Sequence, residues 1–154
     1  MQLAEILSPE GVRVVGSLTS KKRLFQELAD VAQGLCGIGA GDLFNALQDR
    51  ESLGPTGVGK GVALPHARIS GIDRVKGAFV RLEKPLPFDA ADRQPVDLVF
   101  ALFAPEDAGV DHLKALALVS RTLRDSTVCT KLRANSDPAT LYAILTEGQS
   151  VQAA

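Results

Sequence analysis

Cysteine and histidine are both scarce in this chain of 154 residues, at two each. Cys36 and Cys129 stand far apart and share no C-x-x-C or Cys/His spacing, so neither a disulfide framework nor a zinc site is expected. Charge of one sign is missing too. Seventeen basic residues against 18 acidic ones give a formal net charge of −1, which builds in no general attraction to nucleic acid or anionic lipid. Long apolar runs are absent: the strongest, residues 98–104, is far too short to span a bilayer, and no basic segment leads into an apolar core near Met1. A reducing, cytoplasmic setting without membrane insertion is the expectation. Internal repeats and dividing linkers are lacking as well, so one domain over residues 1–148 is expected, followed by a short flexible tail at 149–154.

What is present is an ordinary globular composition, 45% apolar and 23% charged. Residues 12–15 read as a short strand. Leu24, Leu28, Val31 and Leu35 repeat at helical spacing behind the candidate caps Thr19 and Ser20, in a helix ending near Gly37 and Gly39. A second helix from Asp42 turns Leu43, Phe44 and Leu47 inward, and Arg50 falls on the same stripe. Residues 61–64 and 75–83 read as strands, the latter with Ala78, Val80 and Leu82 on one face. Pro85, Pro87 and Pro95 bracket a loop. Residues 96–103 are apolar at nearly every position, which suits a central strand covered on both faces. Helices at 110–124, 127–133 and 138–146 close the chain, with Ser126 and Asp137 as caps of the last two. The expected fold is therefore α/β, a mixed sheet with helices packed on both faces.

The scarce histidines fall at element ends. His66 follows Pro65, which biases Leu64 toward an extended conformation and withholds a ladder donor, so His66 is expected at or just past a strand end. His112 heads the buried stripe of the 110–124 helix, with Leu116, Val119 and Leu123. Glycines precede His66 in unusual density, and backbone amides freed of Cβ atoms can converge on an anion. Gly54-Pro55-Thr56-Gly57-Val58-Gly59-Lys60 matches seven positions of a nucleotide-binding P-loop. Gly61 then stands where a magnesium-binding hydroxyl belongs, and the segment leads into a strand rather than a helix. No dinucleotide fingerprint and no nucleophile elbow occurs. Two histidines with Asp107 and Asp111 make no recognised metal spacing, so no metal and no cofactor is expected. An imidazole near its ordinary pKa of about 6.5 is instead a competent phosphoryl acceptor.

Gly57-Val58-Gly59-Lys60-Gly61-Val62-Ala63-Leu64-Pro65-His66 resembles the active-site motif of the phosphotransferase-system IIA proteins of the mannitol, fructose and nitrogen-regulatory class. Three further blocks resemble that family in order and spacing: Arg50-Glu51 with Thr56-Gly57, Phe88-Asp89-Ala90 with Gln94 to Leu98, and His112-Leu113 with Leu116 to Val119. Ala67-Arg68 after His66 departs from a common Gly-Lys, and Gly54-Pro55-Thr56 departs from a bulkier wording.

The resemblance implies a phosphocarrier, with His66 accepting a phosphoryl group from an HPr-like protein without ATP. It implies that His112 and Arg50 stabilise the phosphate, and Thr56, Gly57 and Gly59 are candidate phosphate-loop residues. Read from the residues alone, His66 can be a hydrogen-bonded loop histidine, His112 the end of a core stripe, and Arg50 the partner of a surface carboxylate. The wording Phe100 to Pro105 and Asp89 to Asp92 is similar to the nitrogen-regulatory branch, and the chain stops soon after its last helix. A free-standing regulator acting on partner proteins by phosphorylation state is the expectation, with a stand-alone sugar-transport IIA component passing phosphate to a IIB unit as the alternative.

Overall fold

The run at 96–103 is apolar at every position but Asp97 because it is the strand between two cores. In the computed structural model, which describes residues 1–153 and their side chains through Glu147, β6 (Val96–Pro105) is covered on both faces. Leu98, Phe100, Leu102 and Ala104 enter one core with Val119, Leu132, Leu141 and Leu145. Val99, Ala101 and Phe103 enter the other with Leu24, Leu28, Leu43 and Leu47. Successive side chains of a strand point to opposite faces, so each core takes alternate residues.

Six strands form one mixed sheet. β1 (Val12–Val15) pairs parallel to β5 (Lys76–Leu86), which runs antiparallel to β6. Beyond β6 lie β3 (Val62–Ala63) and β4 (His66–Ile69), both parallel to it, and β2 (Gly57–Gly59) at the edge, antiparallel to β3. One face carries α2 (Lys21–Cys36) and α3 (Ala40–Ser52). The other carries a short α1 (Leu3–Ile6), α4 (Val110–Arg124), α5 (Ser126–Arg133) and α6 (Pro138–Ala153). The expected mixed sheet with helices on both faces is the observed architecture.

Local chemistry sets the helix ends. Ser20 Oγ accepts from Arg23 N at 3.2 Å to open α2, and Gly37 closes it in the left-handed region at φ 69°. Asp137 caps α6 through the Thr140 amide at 3.1 Å. The cap of α5 is Asp125 rather than Ser126: its carboxylate accepts from Thr127 N and Val128 N, and Ser126 is the first helical residue. A second correction concerns Pro85, which lies inside β5 rather than in a loop. The pairing with β6 breaks between Arg81 and Leu86, so Pro85 falls where no ladder donor is required. The expected tail at 149–154 lies outside the residues described with side chains.

His66 stands at a strand end as expected, just past β3 and first in β4, and Pro65 leaves the ladder in register. Val62 and Ala63 pair with Leu98 and Val99, and His66 and Ala67 pair with Leu102 and Phe103, so the register passes through Pro65 unshifted. The Pro65 carbonyl still accepts from Leu102 N at 2.9 Å. His66 thus starts β4 in the same ladder, because proline removes a donor and leaves its acceptor.

Candidate functional site

Arg50 lies in the last turn of α3, on the stripe whose Leu43 and Leu47 are buried under the sheet. That stripe delivers its guanidinium to the start of β4, where Arg50 Nε donates to His66 Nε2 at 3.3 Å. Arg50 Nη1 donates to the Gly54 carbonyl at 3.0 Å, which fixes the fork from its far side. The other ring nitrogen, His66 Nδ1, lies 2.9 Å from the Leu64 carbonyl. A guanidinium only donates and a carbonyl only accepts. Both contacts are met by one neutral tautomer, with the proton on Nδ1 and the lone pair on Nε2.

His112 reaches the same place from the other face. It is the third residue of α4, whose cap Gly109 contributes no side-chain hydrogen bond. Its ring meets that of His66 edge-on, 5.4 Å between centroids. His112 is 6% exposed and its Nε2 is a buried polar atom with no hydrogen-bond partner. Burial pushes the pKa of both imidazoles down. Hydrogen bonding to Leu64 works against that for His66, and the charges of His66 and Arg68 add to it for His112. Both rings are therefore neutral at pH 7.

These side chains line an open cleft of about 560 Å³ with Ala46, Asp49, Leu53, Arg68, Leu113 and Leu116. Leu53 and Leu113 project from its rim. Thr56, Gly57 and Gly59 do not line it. Thr56 N and Oγ1 bind Glu51, Gly57 packs against Ala90 and Phe88, and Gly59 lies against the Asp92 carboxylate. Lys60 and Gly61, at φ 57° and 79°, turn β2 back into β3. This is a hairpin whose Lys60 amide is taken by Asp92 Oδ2 at 2.8 Å, so a carboxylate occupies the position where a nucleotide loop would hold phosphate.

Two residues escaped the sequence reading of the site. Glu51 has a side chain 6% exposed that binds Lys21 Nζ at 2.9 Å as well as Thr56, tying the loop that holds Gly54 to α2. Arg68 stands two residues after His66 on β4, hence on the same face, and that spacing would have marked it had β4 been placed at His66.

An imidazole, a guanidinium on its Nε2 and a second imidazole beside it are the groups the resemblance named, here within one cleft. Residues 5–148 match the family described as "Phosphoenolpyruvate-dependent sugar phosphotransferase system, EIIA 2". The chain belongs to this EIIA 2 family. Among its relatives, a nitrogen regulatory protein of Bradyrhizobium diazoefficiens is 45% identical over 94% of this chain and 95% of its own length. One of Escherichia coli K12 is 40% identical over 96% of this chain and 91% of its own. The crystal structure of the nitrogen regulatory protein IIA-Ntr from Neisseria meningitidis superimposes with a TM-score of 0.86 at 37% identity, covering 94% of this chain and 99% of that one. The matched segment includes every residue of the cleft. Among the described residues no helix is long and apolar enough to cross a membrane, and no group of three or more His, Cys, Asp or Glu could hold a metal ion.

Proposed function

We propose that this EIIA 2 protein is a phosphocarrier of the nitrogen-regulatory branch, with His66 Nε2 as the phosphoryl acceptor. The observation that carries the reading is the locked tautomer: the Leu64 carbonyl holds the Nδ1 proton, and the lone pair of Nε2 faces the cleft. In the proposed step Nε2 attacks the phosphorus of a phosphohistidine on a small HPr-like carrier. The new N–P bond forms as the donor's N–P bond breaks; the donor ring, protonated on its other nitrogen, leaves as a neutral imidazole, and His66 keeps its Nδ1 proton. Positioning and charge stabilisation are what such a transfer needs. Arg50 swings its Nε–H from the lone pair to a phosphoryl oxygen, and a neutral His112 carrying its proton on Nε2 donates to another.

The modified chain carries a phosphoryl group of roughly two negative charges on a ring that keeps its Nδ1 proton, in place of a neutral ring. Partner proteins distinguish the two forms by that charge, which supports a regulatory role of the kind the relatives' names describe. Incubation with phosphoenolpyruvate, enzyme I and HPr-like carriers is expected to place acid-labile phosphate on the Nε2 of His66, read by phosphorus NMR. His66→Ala is expected to acquire none. Absence of phosphate on the wild-type protein with every carrier would overturn the reading.

A further inference from the structure

The cleft holds more hydrogen-bond donors than it has acceptors to meet. Arg50 and Arg68 both line it, and neither is among the ion pairs of the described residues. Arg68 gives Nη1 to the Glu106 carbonyl at 3.1 Å, which orients the guanidinium and leaves its other nitrogens unassigned. The buried His112, whose Nε2 has no hydrogen-bond partner, is a third polar residue on the same lining. Asp49 is the single carboxylate on the lining, and it lies on the exposed side of α3. Around these groups the rim is apolar, with Leu53 83% and Leu113 66% exposed.

The geometry points to a second occupant for the unphosphorylated cleft: an aspartate or glutamate side chain of a partner protein, flanked by apolar residues, seated where the phosphoryl group otherwise goes. A carboxylate fits a guanidinium fork as a phosphoryl group does, through parallel N–H···O bonds. A free small anion would satisfy the donors and leave Leu53 and Leu113 bare in water, whereas a protein-borne acidic residue covers both at once. Phosphorylation of His66 then releases the partner by filling the same positions and adding like charge. This release rests on the phosphocarrier reading, while the recognition of the acidic side chain does not.

Two peptides, N-acetylated and C-amidated, test it: Ser-Leu-Glu-Leu-Ser and the same sequence with Gln for Glu. They are titrated into the full chain while the imidazole resonances of His66 and His112 and the methyl resonances of Leu53 and Leu113 are followed. A charge-assisted hydrogen bond contributes about 1.5–3 kcal/mol, so the Glu peptide is expected to bind about ten- to a hundredfold tighter than the Gln peptide. Acetate is expected to bind at least tenfold more weakly than the Glu peptide, Arg68→Gln to weaken the Glu peptide and not the Gln peptide, and phosphorylated protein to lose the Glu peptide. Equal binding of the two peptides, binding of neither, acetate as tight as the Glu peptide, or a Glu peptide retained on phosphorylated protein would overturn the inference. A chain that discriminates the peptides and accepts no phosphate removes the phosphocarrier reading alone. One that accepts phosphate and does not discriminate removes this inference alone.

Discussion

At the scale of residues, the chemistry turns on which nitrogen of His66 is free. Burial and the nearby guanidinium hold its pKa down, which favours the neutral ring the proposed transfer needs. Phosphoryl acceptance is expected to be flat above pH 7 and to fall as pH drops below the ordinary histidine value of about 6.5, where Nε2 takes up a proton. An initial-rate profile with the carrier held saturating checks this. The same shifts set a stability trend. Depressed folded pKa values mean that the unfolded chain binds more protons on lowering pH through about 6.5, so stability falls from there and the loss is complete below the folded values. Urea unfolding at pH 7.5 and 5.5 is expected to show a larger drop for wild type than for a His66→Gln, His112→Gln double variant. Arg50→Ala is expected to slow phosphoryl acceptance by about ten- to a hundredfold, the value of a charge-assisted hydrogen bond, with the acceptor still modified at long times. An unchanged rate would leave Arg50 as an anchor for the Gly54 loop.

At the scale of elements, most of the fold was legible because apolar spacing reports burial directly. The stripe of α3, the alternation of β5 and the two-sided run of β6 follow from period and composition. Less legible was anything decided by a tertiary partner. Glycines 57, 59 and 61 carry no apolar signal, so β2 and its turn into β3 were hidden, and the phosphate-loop expectation for Thr56, Gly57 and Gly59 rested on glycine density together with the family wording. The cleft does not include them. Asp125 and Ser126 are equally good caps on paper, and the distances alone show which one serves. Gly77 has a similar hidden role in β5: a Cβ there would meet Phe100 Cε1 at 2.6 Å and Ile6 Cγ2 at 2.9 Å. Gly77→Ala is expected to cost about 1–3 kcal/mol by overpacking, measured by urea unfolding, whereas Asp125→Ala costs about 1 kcal/mol through its cap.

At the scale of the whole molecule, the sheet separates two cores and the cleft opens where elements from both faces meet on β4. Arg50 comes from α3 on one side and His112 from α4 on the other. Their meeting could not be read from spacing alone, since 62 positions separate them in sequence; the family likeness named them together. The apolar rim belongs to this scale too. Leu113→Asp is expected to leave folding within about 0.5 kcal/mol of wild type, because the side chain is mostly in solvent. With an HPr-like carrier as donor it is expected to raise KM for the carrier while preserving kcat, which steady-state phosphorylation assays distinguish. A fall in kcat alone would place Leu113 in the transfer step instead of in docking.

The unshifted register through Pro65 has a consequence for how a signal leaves this protein. His66 is a rung of the same ladder as Leu102, whose strand β6 is buried on both faces. On the proposed phosphocarrier reading, an acceptor so mounted takes on its cargo without any hinge, lid or rearranged backbone. Amide hydrogen exchange at Leu102, whose N–H is held by the Pro65 carbonyl, is then the same in both chemical states. In that proposal, what a partner senses is written on the outer surface in charge and shape, and erasing the message requires only removing the phosphate.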